Sequence, residues 1–328
     1  MHEARYWDPG QDGVVHCRLC PHGCRIRPGE AGICRVRCNR GGTLYAANYG
    51  QVSGLALDPI EKKPLYHFYP GSLILSAGSW GCNLSCGFCQ NWASVTRQYP
   101  TRTLTPAQLA DLALSLVDRG NCGVAFTYTE PLMWYEFVRD AAPLVRERGL
   151  KTVLVTNGFI RERPWLELLE HIDAVNIDLK AFRPDFYRRW CGGSLAPVRR
   201  AIAAAAERCH VEITTLLIEG RNTGEEEIRE LAAFIAAIDP GIPLHLSRYH
   251  PAHKWTQPPT DPGLIRALAD LAREQLDHVY TGNLPESWQL PTRCPRCKHV
   301  LVRRGIAVTA DVEDGRCPQC RQPVNIRF

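Results

Sequence analysis

The chain has 328 residues, with 39 basic and 34 acidic side chains for a formal net charge of +5, and the two signs are mixed along its length. That mixing argues against a nucleic-acid arm, and no run approaches the roughly 18 apolar residues of a membrane span. Fifteen cysteines in so long a chain, behind a charged start (Met1-His2-Glu3-Ala4-Arg5-Tyr6) without the apolar core of an export signal, point to metal ligation in a reducing cytoplasm over a secreted disulfide framework.

Residues 1–70 form a Cys-rich N-terminal segment, abundant in Gly, Pro and Arg, where neither a helical nor a strand period holds for long. A segment this turn-rich needs a staple in place of a core. Cys17, Cys20, Cys24 and Cys34 stand as C-x2-C-x3-C-x9-C, with Cys38 beyond. They offer four soft ligands for zinc or an iron–sulfur cluster, and the alternative is reduced cysteines docked on the main domain.

Residues 71–288 alternate β-branched runs with amphipathic stretches, the rhythm of βα units around a parallel sheet. Strands are expected at Leu73–Ala77, Gly123–Tyr128, Thr152–Thr156, Ala174–Leu179, Val211–Ile218, Leu244–Tyr249 and Val279–Thr281. Helices are expected between most of them, among others at Pro106–Val117, Pro131–Arg148, Pro197–Arg208 and Glu225–Ile238, several opening on a proline that a first helical turn accepts. The fold class is therefore α/β, a partial (β/α) TIM-like barrel, whose reacting groups belong at the C-terminal ends of the strands.

Directly after the first of these strands comes Trp80-Gly81-Cys82-Asn83-Leu84-Ser85-Cys86-Gly87-Phe88-Cys89. The C-x3-C-x2-C spacing offers three thiolates, whereas a [4Fe-4S] cubane has four irons to ligate, so one iron stays open to a small molecule. The alternative is a structural zinc ion, which needs a fourth ligand, Cys122 being the nearest later cysteine. Arg248, Tyr249 and His250, closing the sixth strand, are either a polar cluster touching substrate or cofactor or a surface loop.

Residues 289–328 place Cys294 and Cys297 ahead of Cys317 and Cys320, each pair as Cys-Pro-x-Cys, around the strand-like Val300-Leu301-Val302. Paired knuckles at this separation predict a zinc ribbon binding Zn2+, with a rubredoxin-like iron as the alternative metal.

With the loop placed after strand one, the middle region resembles the radical S-adenosylmethionine superfamily, whose motif is C-x3-C-x-aromatic-C with Phe88 as the aromatic. Within it the chain is most similar to the AmmeMemoRadiSam system radical enzymes, related to the pyruvate formate-lyase activating enzymes. The likeness is carried by Asp58-Pro59-Ile60-Glu61-Lys62-Lys63-Pro64-Leu65-Tyr66-His67, Cys89-Gln90-Asn91-Trp92, Thr127-Tyr128-Thr129-Glu130-Pro131, Thr156-Asn157-Gly158, Asp178-Leu179-Lys180 and the N-terminal cysteine run. It implies that Cys82, Cys86 and Cys89 hold a [4Fe-4S] cluster. It also implies that Glu130 receives the amino group of S-adenosylmethionine, and that Asn157, Thr156 and Lys180 contact its ribose and carboxylate.

Tyr128-Thr129 replaces the two glycines that precede this glutamate in the superfamily, and Val155 occupies the acidic position that holds a monovalent cation in the activases, so no cation site is carried over. Beside the cofactor reading, Glu130 before a proline suits a helix start, and Asn157-Gly158 suits a turn. The implied activity is oxidoreductase chemistry: reductive cleavage of S-adenosylmethionine to a 5′-deoxyadenosyl radical that abstracts hydrogen from a substrate. The implied partners are an electron donor such as a flavodoxin or ferredoxin, and a protein substrate such as a glycyl radical enzyme. Two other readings stay open, radical modification of a small molecule or peptide with an auxiliary N-terminal cluster, and a non-catalytic zinc-binding scaffold or adaptor.

Overall fold

The computed structural model describes residues 1–96 and 100–328. Its centre is one eight-stranded sheet: β1 (Gly54–Pro59), β2 (Leu73–Gly78), β3 (Asn121–Phe126), β4 (Lys151–Thr156), β5 (Ala174–Asp178), β6 (His210–Leu217), β7 (Leu244–Arg248) and β8 (Val279–Gly282). The strands lie in chain order. Each neighbouring pair from β2 to β8 is parallel, while β1 pairs antiparallel with β2 from Gly54 opposite Gly78 to Pro59 opposite Leu73. Because β1 and β8 do not pair, the barrel stays partial, as the βα rhythm predicts.

Strands β2 to β6 are almost continuously buried, as a sheet covered on both faces requires. The helices α1 (Pro106–Leu114), α2 (Tyr135–Glu147), α3 (Glu162–Leu169), α4 (Leu195–Ala206), α5 (Glu225–Ala236) and α6 (Pro262–Ala272) supply part of that cover. Helix α1 begins on a reciprocal capping box between Thr105 and Gln108. The expected strands and helices are present with ends displaced by up to four residues, the largest shift being at α2, whose first expected turn is the 3-10 turn Pro131–Trp134. Strand β3 stops at Phe126 because Tyr128 takes a left-handed backbone (φ +69°), where an extended ladder cannot continue.

The N-terminal segment is more regular than its sequence suggests. His2–Glu3, Thr43–Ala46 and Arg37–Arg40 make one antiparallel sheet, and Trp7–Pro9, Val15–Cys17 and Arg25–Ile26 make another. Pieces of two to four residues are too short for a period to show. Strand β1 comes from the same stretch and completes the main sheet.

The N-terminal ends of the strands are closed by a polar knot. Buried Glu212 of β6 accepts the backbone N–H groups of Tyr66 (2.9 Å) and His67 (2.7 Å) and pairs with His210 (3.0 Å) and His245 (2.6 Å). The C-terminal module, a sheet of Thr292–Arg293, Val300–Arg303 and Thr309–Ala310, docks over it. Tyr280 Oη lies 2.7 Å from Thr292 Oγ1, Arg304 stacks on the Tyr66 ring at 4.4 Å, and the Arg327 N–H donates to the His67 carbonyl (2.8 Å). With one end plugged, the opposite, C-terminal end of the strands is left for a cavity.

Candidate active site

That cavity, about 810 Å³, is lined by Cys82, Cys86, Phe88 and Cys89 from the loop after β2, by Thr127 to Glu130 after β3, by Val155 of β4 and Asn157 just after it, and by Asp178 of β5 and Lys180 two residues beyond. It falls in the size range of small-molecule sites. Cys82, Cys86, Phe88, Cys89, Glu130, Asn157 and Lys180 therefore face one space, although they span almost a hundred positions of sequence, whereas Thr156 does not line it and instead donates to Glu130.

The loop is shaped by close backbone approach. Gly81 has φ +94°, and a side chain there would strike Cys34 O and Val36. A Cβ on Gly87 would come within 2.6 Å of the Trp255 indole nitrogen. The Phe88 ring wedges between Phe186 (5.6 Å) and Trp255 (5.1 Å), which anchors the loop between its second and third cysteines.

Among the described residues, the only set of three or more His, Cys, Asp or Glu ligand atoms lying within 4.8 Å of one another is Cys294, Cys297, Cys317 and Cys320. The three loop sulfurs are spread more widely than that. Two sulfurs on a single zinc, each bonded at about 2.3 Å, can be no more than about 4.6 Å apart, so the loop as it stands is not drawn together around a lone ion. Cys122, the fourth zinc ligand of the alternative reading, sits at the start of β3 with its thiol accepting from Ser72 Oγ (3.2 Å), at the other end of the strand from the cavity.

Burial pushes the Cys82 and Cys89 thiols up, whereas a hydrogen bond with Cys191 draws Cys86 down. Cys191 escaped sequence reasoning because a lone cysteine carries no spacing. It is fully buried, its carbonyl accepts from Ser85 N (2.8 Å), and it lies outside the cavity lining. Cys34 reaches the cavity from the N-terminal segment, but its thiol interacts with Arg37 and Cys17.

Glu130 is the best-held polar group of the site. One carboxylate oxygen accepts from Thr156 Oγ1 (2.6 Å) and Leu132 N (3.0 Å), and the other accepts from Asn157 N (2.9 Å). Burial raises its pKa to about 7 against the pull of these bonds. The bond from Leu132 N shows that Glu130 also caps the 3-10 turn Pro131–Trp134, so the helix-start role is realised alongside the cavity-facing one.

Asn157 does two things as well. Its Oδ1 accepts from Phe159 N (2.8 Å) to close the turn at Gly158, while its Nδ2 donates to Asn83 Oδ1 (2.9 Å) and points toward Cys82 Sγ (3.7 Å). Lys180 Nζ pairs with Asp178 Oδ2 at 2.9 Å; burial disfavours its charge, but Asp178 and the neighbouring sulfurs raise its pKa well above the usual value.

The residues that replace the paired glycines are accommodated by glycines elsewhere. The Tyr128 ring lies against Gly54 of β1 and Gly78 of β2, where an added Cβ would come within 3.0 Å of it. Its hydroxyl donates to Asp58 Oδ2 (2.9 Å), which also binds Lys63 Nζ (2.8 Å). Burial works against ionised Asp58, yet the bonds from Lys63 and Tyr128 hold it at about 2. This Asp58–Lys63–Tyr128 group lines the cavity, and only the antiparallel strand β1 brings it there. Arg248 and Tyr249 are tied into their loop, Arg248 Nε donating to Thr260 O (2.7 Å) and Tyr249 Oη to Trp255 O (3.1 Å), and neither they nor His250 line the cavity.

In the C-terminal module the sulfurs of Cys294 and Cys320 are 3.5 Å apart and those of Cys297 and Cys317 are 3.6 Å apart. That spacing fits a single tetrahedral ion.

Residues 79–235 match the family described as the Radical SAM superfamily. The chain is 38% identical to Uncharacterized protein MJ0808 of Methanocaldococcus jannaschii over 99% of both chains. It is 28% identical to a pyruvate formate-lyase-activating enzyme of Clostridium pasteurianum over 52% of this chain and 72% of that one. Among solved structures, Streptococcus suis SuiB bound to S-adenosylmethionine aligns with a TM-score of 0.52 at 16% identity, covering 62% of this chain and 48% of SuiB, a likeness of fold alone.

Proposed function

The chain belongs to the radical SAM superfamily, and from that premise we propose that it abstracts hydrogen from a protein substrate by way of S-adenosylmethionine. Cys82, Cys86 and Cys89 would hold a [4Fe-4S] cluster, which when bound would supply the electron for reductive cleavage of S-adenosylmethionine to methionine and a 5′-deoxyadenosyl radical. The observation that carries this reading is the convergence of those sulfurs, Glu130, Asn157 and Lys180 on one cavity at the C-terminal ends of parallel strands.

Glu130 receives the ammonium of the bound S-adenosylmethionine. Its two oxygens have about four lone-pair sites and three are filled by Thr156, Leu132 and Asn157, which leaves acceptor capacity for a cation. The Lys180 ammonium is the counterpart for the carboxylate, and Asn157 sets the position of the loop through Asn83. Phe88 and Val155 give the cavity apolar wall, which keeps water from the reactive species.

Relatedness to pyruvate formate-lyase activating enzymes supports a glycyl residue of a partner protein as the hydrogen donor. A flavodoxin- or ferredoxin-type protein is the electron source. The N-terminal cysteine run supports membership of the AmmeMemoRadiSam group, the C-terminal four cysteines hold Zn2+ as a structural ribbon, and fifteen unpaired cysteines suit the reducing cytoplasm. The test is anaerobic reconstitution, reduction with dithionite and assay of 5′-deoxyadenosine from S-adenosylmethionine. Product from the wild type and none from Cys86→Ala is expected, and a wild type that binds iron but forms no 5′-deoxyadenosine refutes the proposal.

A further inference from the structure

The N-terminal cysteines take no part in the chemistry above, yet they are gathered. Strand Val15–Cys17 pairs with Arg25–Ile26, and Cys17 N donates to Cys24 O (2.9 Å). The turn after Cys20 is closed by Gly23 N on Cys20 O (3.2 Å), with Gly23 at φ +57°. Gly32 leaves only 3.5 Å between its missing Cβ and Cys24 Sγ, which lets the chain carry Cys34 inward. As a result Cys17, Cys20, Cys24 and Cys34 line one small cavity, while Cys38 stays outside it. None of the four is in a disulfide.

Two observations say what the cavity takes. The first is spacing: these four do not form a set within 4.8 Å, in contrast to the C-terminal cysteines, and in this they match the Cys82–Cys89 loop. A single ion with thiolate bonds of about 2.3 Å draws its sulfurs closer than that. The second is an orphan donor. Arg37 lines the same cavity, and although its terminal nitrogens are engaged by Glu136, its buried Nε has no hydrogen-bond partner among the described residues. An unpartnered buried N–H is costly, and an anionic sulfur is a ready acceptor for it.

We propose that Cys17, Cys20, Cys24 and Cys34 ligate a second iron–sulfur cluster, closed by four thiolates and so without an open iron. It shares a wall with the first site. Cys34 lines both cavities, and Asn83, next to Cys82, lines the smaller one. His22 Nε2 contacts Asn83 O at 2.7 Å, which links the N-terminal knuckle directly to the loop.

The proposal stands apart from the radical reading, because its test removes the loop. The full-length chain carrying Cys82→Ala, Cys86→Ala and Cys89→Ala is reconstituted anaerobically with ferrous iron and sulfide, beside the wild type and a Cys20→Ser/Cys34→Ser variant. Iron, sulfide and zinc are measured, with electron paramagnetic resonance after dithionite. About four irons in the loop variant, with a reduced-cluster signal, against about eight in the wild type and about four in the Cys20/Cys34 variant is the expected result. If the loop reading alone were wrong, the wild type and the loop variant would both hold about four. A folded loop variant with background iron, or with one zinc beyond that of the ribbon, would overturn the proposal. That outcome does not depend on whether the Cys20/Cys34 variant folds.

Discussion

Replacing Glu130 by glutamine probes the heart of the site. The side chain keeps its length, so one amide oxygen still accepts from two of the three donors at Thr156, Leu132 and Asn157. The amide nitrogen then faces the third donor and points N–H groups toward the ammonium of S-adenosylmethionine instead of a carboxylate. A hydrogen bond to a charged group is worth about 1.5–3 kcal/mol, which translates into a dissociation constant about 10- to 150-fold weaker. The assay is isothermal titration of S-adenosylmethionine into the cluster-loaded protein.

A pH arm sharpens it. Burial places the Glu130 pKa at about 7 in the ligand-free protein, and an ammonium binds the deprotonated form, so wild-type affinity should weaken as pH falls from 8 to 6 and steepen toward a factor of about ten per unit below the pKa. Glu130→Gln should show no such slope. A folded, cluster-loaded variant whose affinity changes less than threefold and keeps the wild-type pH profile would refute the assignment.

The knot beneath the sheet should make the fold acid-sensitive. His278, ring to ring with His67 at 4.4 Å, is held at about 4 by burial. Between pH 6.5 and 4 the unfolded chain therefore binds a proton that the folded chain refuses, and stability should fall by about 2 kcal/mol from pH 7 to 5. Urea midpoints check this, and a His278→Phe variant with an unchanged pH slope removes His278 as the cause. Gly78→Ala puts a Cβ within 2.6 Å of Thr127 O and 3.0 Å of the Tyr128 ring. Overpacking of this kind costs about 1–3 kcal/mol, and weaker S-adenosylmethionine binding should accompany the lower stability. Unaltered stability and binding would show that the Tyr128 stack is not constrained. Cys294→Ser should lose about one zinc per chain and lower the melting temperature by roughly 4–8 °C, the shift for a loss of about 2 kcal/mol. Retained zinc and an unshifted melt would contradict a structural ribbon.

The sequence was sufficient for whatever is encoded locally. The βα rhythm gave the parallel strands from Leu73 onward because buried parallel strands are runs of apolar residues, and C-x3-C-x2-C gave the loop because a cluster takes its ligands from one short turn. Paired Cys-Pro-x-Cys knuckles likewise announced the C-terminal four-sulfur site. What stayed hidden depends on partners far away in the chain. Strand β1 pairs antiparallel from within a turn-rich stretch, and it alone brings Asp58 and Lys63 to Tyr128. The two glycines that make room for that ring lie 24 residues apart, at Gly54 and Gly78. Cys191 meets Cys86 where Ser85 N binds the Cys191 carbonyl and Gly87 N the Trp190 carbonyl. Spacing along the chain reports which ligands one turn can gather. Which side chains a cavity holds is decided by strand order and register, and those are fixed only when the whole sheet packs.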